Sequence, residues 1–269
     1  GCVDSLVQNV IVNPLPQATI AGDTEVCQDA TAPQITFTGS NSTAPYTFTY
    51  TINGGAPQTV TSTGNSATVT APTTTVGTYT YELISVEDAS TTACSQLQTG
   101  TATVIVNPLP QATIVGDTEL CQDAAAPQIT FTGSNSTAPY TFTYTINGGA
   151  QQTVTSTGNT ATVNVPTTTA GTYTYELISV EDASATTCSQ VQTGTATVIV
   201  NPLPEATIAG DTEVCQDATA PQITFTGSNS TAPYIFTYSI NGGAPQTVTS
   251  TGNTATVNVP TTTAGTYTY

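Results

Sequence analysis

The words Asn-Pro-Leu-Pro occur at Asn13, Asn107 and Asn201, so the chain repeats itself every 94 residues. A period of that length is too long for the small units of a solenoid and right for one small β domain. It sets the expected plan: the last strand of an upstream unit over residues 1–13, full units over 14–107 and 108–201, and a truncated unit over 202–269. The first two copies differ by swaps such as Ala21/Val115, Val26/Leu120, Ser66/Thr160, Val76/Ala170 and Leu97/Val191. Nearly all keep polarity and approximate volume, as a packed core tolerates. Gly1 is not an initiator Met, and the closing Gly-Thr-Tyr-Thr-Tyr runs on in the earlier copies, so both ends are expected to be internal to a longer polypeptide.

Within a copy the apolar pattern has period two and is broken at short intervals by Gly, Pro and Asn, which predicts an all-β sandwich of seven or eight strands. The expected strands of the first copy are 18–20, 25–28, 34–38, 46–52, 58–61, 67–70, 78–86 and 96–106. Tyr46, Phe48, Tyr50 and Ile52 alternate with Thr47, Thr49 and Thr51, which predicts a core face and a solvated Thr face. Asn53-Gly54-Gly55 supplies the positive φ that a tight hairpin demands. Tyr79 and Tyr81 stand where a sandwich places its corner tyrosine. Prolines in the Val-Asn-Pro-Leu-Pro joint fix φ and remove backbone donors, which predicts a stiff, short hinge and domains strung into an extended rod.

There is no Lys, Arg or His, and 17 acidic residues leave a formal charge of −17. Nucleic-acid binding needs cations that displace phosphate counterions, and anionic membranes attract polybasic segments, so both partners are excluded. Membrane insertion is not expected, because no apolar run approaches the ~20 residues of a spanning helix. Thr, roughly a quarter of the chain, takes over the solvating role and favours pleated strands. The missing basic residues also leave trypsin-like proteases no site to cut.

The words Gly22–Asp29, Pro45–Gly55, Gly77–Asp88 and Cys94–Pro108 resemble the Ig-like repeats of giant Bacteroidota surface proteins. That family resembles gliding-motility adhesins and other cargo of the type IX secretion system. The resemblance covers the whole chain and implies tandem Ig-like β-sandwich domains, an extracellular, cell-surface or filament location, and no catalytic residues.

Each full copy owns two cysteines, Cys27 with Cys94 and Cys121 with Cys188. Disulfides within each copy are the expected pairing, with free buried thiols and a Cys94–Cys121 staple across the joint as alternatives. Such bonds fit an oxidising compartment. No Cys-x-x-Cys and no His support zinc. The acidic words Asp23/Glu25/Asp29 and Glu82/Glu87/Asp88 have no cation to pair with, so they face water or hold a metal, for which Ca²⁺ is the candidate cofactor. Asn41, Asn135 and Asn229 begin Asn-Ser-Thr words that read as turns, and Asp4-Ser5-Leu6 resembles an O-glycosylation signal with Ser5 as acceptor.

Catalysis is not expected, because without His, Lys or Arg only carboxylates, Tyr, Ser and Cys remain, each recurring as a structural word does. A stalk or filament, in which the number of copies sets length and neighbouring copies are the partners, is the leading reading. An adhesin that binds glycans or another cell is the alternative. Ice binding by Thr rows is disfavoured by sheet twist, and head-to-tail strand donation by the segment before Asn13 is the remaining possibility.

Overall fold

The computed structural model describes residues 7–269. The first copy has nine strands: β1 (Gln17–Ala21), β2 (Thr24–Cys27), β3 (Gln34–Ser40), β4 (Thr47–Ile52), β5 (Gln58–Thr61), β6 (Ser66–Thr70), β7 (Gly77–Glu87), β8 (Ser95–Leu97) and β9 (Thr101–Asn107). They form two layers, β1-β3-β6 and β2-β9-β7-β4-β5, with β8 also paired to β7. Neighbours are antiparallel except β2 and β9, which run parallel with Cys27 opposite Asn107. The second copy repeats this order from β10 (Gln111–Val115) and β11 (Thr118–Cys121), through β16 (Gly171–Glu181) and β17 (Ser189–Val191), to β18 (Thr195–Asn201). No helix occurs among the described residues. The fold is a tandem of immunoglobulin-like β-sandwiches.

Each full copy buries its own core. In the first, β3 contributes Phe37, which lies 5.6 Å from Phe48 and 5.0 Å from Tyr50 between ring centroids, and Tyr50 stacks 6.2 Å from Tyr81 of β7. This aromatic ladder bridges the two layers, and each offset pair adds roughly 0.5–1.5 kcal/mol beyond simple burial. Gly39 makes room for it: a Cβ there would sit 2.4 Å from the Tyr46 ring. Tyr46 turns its hydroxyl to the Ser42 carbonyl at 2.6 Å, and Tyr79 donates to the Thr75 carbonyl at 3.0 Å, the corner expected from sequence.

Two expectations need correction. The stretch expected as one strand over 96–106 is two, β8 and β9, parted at Gln98–Gly100. The cause is a bulge in β7: Thr49 pairs with Ser85 but Tyr50 pairs with Leu83, leaving Ile84 as the extra residue. The Ile84 carbonyl accepts from Gln98 N at 2.8 Å, and Leu83 N donates to Gly100 O at 2.9 Å, so the neighbouring strand breaks at the same level. The Thr face of β4 is also less solvated than expected. Thr47 and Thr49 are half-buried, and Thr51, next to that register shift, is buried with no partner for its hydroxyl.

The third copy contains β19 (Glu205–Ala209), β20 (Gln222–Ser228), β21 (Ile235–Tyr238), β22 (Gln246–Thr249) and β23 (Thr254–Asn258). Its Thr212–Cys215 word is identical to the Thr24–Cys27 word of β2 yet forms no strand. In the first copy β2 takes its backbone partners from β9, whereas Thr212–Cys215 pairs with neither of the other counterparts of β9, residues 7–13 and Thr195–Asn201, the latter being taken by β11.

Candidate functional site at the joint between copies

Cys27 is bonded to Cys188, with their Cα atoms 5.6 Å apart and 161 residues of sequence between them. The bond therefore crosses from the first copy to the second and replaces both expected pairings, Cys27–Cys94 and Cys121–Cys188. Strand direction explains the correction. Cys27 ends β2 beside Asn107, at the Gly77 end of β7, whereas Cys94 precedes Ser95, which pairs with Glu87 at the other end of that 11-residue strand. At ~3.3 Å per residue the two cysteines of one copy stand roughly 33 Å apart. Consecutive copies bring opposite ends together, so the reachable partner lies in the next copy. Cys94, Cys121 and Cys215 are unbonded.

The loop that presents Cys188 is fixed by a buried carboxylate. Asp182 accepts from Cys188 N at 2.8 Å, from Ser184 N at 3.2 Å, from Ser184 Oγ at 2.7 Å and from Ser136 Oγ. A buried carboxylate without a cation is tolerable only when donors surround it, and here they do. Across the joint, Asn107 Nδ2 donates to Thr186 Oγ1 at 3.1 Å, and that oxygen lies 3.6 Å from Cys27 Sγ. Asn135, at φ +68°, donates its side-chain amide to the carbonyl of Leu109 in the Pro-Leu-Pro linker at 3.0 Å. The second copy thus holds the linker by a hydrogen bond and the first copy by a covalent bond. Closing a loop of that length removes about 5 kcal/mol of denatured-chain entropy in the loop-closure account.

Asp88 repeats the arrangement in the first copy, accepting from Ser90 Oγ at 2.7 Å, Cys94 N at 2.9 Å, Ser90 N at 3.2 Å and Ser42 Oγ. The Ser42 hydroxyl, helped by Ser90 and the Cys94 amide, holds its carboxyl below the usual range against the opposing effect of burial. The other acids considered for Ca²⁺ go separate ways. Asp23 accepts from Thr103 N at 2.7 Å, Glu25 lies 3.4 Å from Asn107 Nδ2, Asp29 sits in a turn at φ +61°, and Glu82 and Glu87 point outward. Among the described residues no three His, Cys, Asp or Glu come together as a metal site. Ser5 lies outside the described residues. Asn41, Asn135 and Asn229 all take positive φ, as turn residues do, and Asn135 and Asn229 bind linker carbonyls.

A cavity of about 620 Å³ in the third copy is lined by Thr212–Cys215 on one side and Tyr267 and Tyr269 on the other. Those residues correspond to β2 and β7 of the first copy, between which β9 lies. The cavity therefore sits at the position that β9 fills in the first copy. None of the helix-free described residues offers a helix long and apolar enough to cross a membrane.

No family model and no curated protein matches the chain. Among solved structures it is similar to a three-domain stretch of titin immunoglobulin domains, at TM-score 0.54 and 13% identity, covering 93% of this chain and 89% of that one. That likeness agrees with the tandem Ig-like fold. A Ca²⁺-stabilized adhesin with which an Antarctic bacterium binds ice is similar at TM-score 0.42 and 17% identity, covering 91% of this chain and 66% of that one. The chain thus spans just under two thirds of that adhesin's length. The Escherichia coli adhesin FdeC is similar at TM-score 0.35 and 12% identity, covering 84% of this chain and 79% of that one.

Proposed function

We propose that the chain is a tension-carrying stretch of an extracellular stalk or filament, in which joined Ig-like copies form a stiff rod and catalyse nothing. The observation that carries this reading is the Cys27–Cys188 bond, which ties two independently packed sandwiches across a proline-locked joint. A catalytic or small-ligand domain gains nothing from a bond at that place, whereas a stalk gains a fixed angle between units. An oxidising exterior fits the use of cysteine, and the resemblance to Bacteroidota surface repeats fits export to that exterior. The partners this reading implies are neighbouring copies of the same unit. Small-angle X-ray scattering of the oxidised chain tests it. Three sandwiches, each with a long strand of ~36 Å, give an expected maximum dimension of roughly 110 Å. A compact particle of about 60 Å would overturn the reading.

A further inference from the structure

Cys94 and Cys121 are unbonded, yet each stands where one half of the Cys27–Cys188 bond stands. Cys121 matches Cys27. It lies opposite Asn201 in a parallel pair, as Cys27 lies opposite Asn107. Gln122 N donates to Asn201 O at 2.7 Å, as Gln28 N does to Asn107 O at 2.8 Å. Cys94 matches Cys188. Its backbone N–H is held by Asp88 at 2.9 Å, as that of Cys188 is held by Asp182 at 2.8 Å. Asn13 Nδ2 donates to Thr92 Oγ1 at 2.9 Å, as Asn107 Nδ2 does to Thr186 Oγ1 at 3.1 Å. Because Asn13 belongs to the segment entering the first copy, the joint ahead of that copy is laid out like the joint behind it. Cys94 and Cys121 cannot serve each other, since they occupy the outer ends of the two-copy unit.

We propose that Cys94 and Cys121 are open halves of further joint-crossing disulfides, whose partners are cysteines in other copies of this unit. The partner lies 161 residues upstream of Cys94 and 161 residues downstream of Cys121, the separation seen between Cys27 and Cys188. Each bond forms with a disulfide oxidant such as oxidised glutathione. One thiolate attacks it and releases a glutathione thiol; the second protein thiolate then displaces the other glutathione, so two protein thiols are oxidised and one external disulfide is reduced to two thiols. Successive loops overlap, because Cys94 and Cys121 both lie inside the loop closed by Cys27 and Cys188. This inference stands whatever the protein attaches to.

The test lengthens the 269-residue chain by a further copy of residues 14–107 placed after Asn201, with the original Cys94→Ser. The protein is oxidised with glutathione, cut by proteases specific for acidic and aromatic residues, and its linked peptides are weighed. Leu120 marks the Cys121 peptide and Val191 the Cys188 peptide, the inserted copy's second cysteine carries the leucine found at Leu97, and Cys215 and the inserted copy's first cysteine are replaced by serine so that Val26 marks Cys27 alone. Expected are a valine–valine link and a leucine–leucine link, together with loss of Cys121 alkylation relative to the 269-residue chain. Replacing the inserted copy's second cysteine by serine should restore that alkylation in full. A mixed leucine–valine link joining Cys121 to Cys188, or a Cys121 thiol still fully reactive in the lengthened chain, would overturn the proposal.

Discussion

At the scale of single residues, the protein solves the problem of burying polar atoms without any cation. Asp88 and Asp182 are encircled by hydroxyls and amides, and each holds the loop of a cysteine. Asp88 titrates below its usual range in the folded state, so it contributes stability that is present above its unfolded value of about 3.9 and is lost as pH falls through the lower folded value. Calorimetry from pH 7 to 2 should therefore show a steeper fall in Tm below about pH 4 for the parent than for Asp88→Asn; parallel curves would refute the assignment. Gly133 is the second residue to probe. A Cβ there would lie 2.4 Å from the Tyr140 ring, inside the core, so Gly133→Ala should lower stability by about 1–3 kcal/mol in urea unfolding. An unchanged midpoint would mean that the ring has somewhere else to go.

At the scale of elements, what could be read from sequence follows from how local each signal is. The buried faces of Tyr46, Phe48 and Tyr50, the hairpin at Asn53-Gly54 and the Tyr79 corner all depend on residues within one strand or turn, and the structure carries them as expected. The break between β8 and β9 depends on a bulge at Ile84 in another strand, which no periodicity in residues 96–106 records. The cysteine pairing depends on which end of the sandwich each thiol occupies, and hence on β2 running parallel to β9. Short spacing within a copy pointed the wrong way, because it says nothing about distance along the domain axis. Likewise the spacing of acidic words could not tell that Asp23 caps the Thr103 amide while Glu82 and Glu87 look outward. The Thr212–Cys215 word makes the same point about context. Appending the residues that follow Tyr175, namely 176–201, to the end of the chain should fill the 620 Å³ slot. Amide hydrogen exchange at Val214 and Cys215 should then slow by at least tenfold; unchanged exchange would show that β2-type strands form without that partner.

At the scale of the whole molecule, the chain is a series of separately packed sandwiches, and their covalent wiring differs from their sequence order. Single-molecule stretching between the two termini distinguishes the observed wiring from closure within each copy. Reduction should release one increment of roughly 550 Å, the contour of 161 residues at ~3.4 Å each. Two increments of about 230 Å would instead report bonds confined to single copies.

Tension applied to such a chain does not visit every fold on its way through. From the left it runs along β1 and β2, leaps across sulfur at Cys27 and resumes at Cys188, so most of one sandwich and much of the next hang slack beside the taut line. A tug that would unravel an ordinary string of domains here meets a cable that stops paying out early, because the residues between the two sulfurs never enter the line of pull.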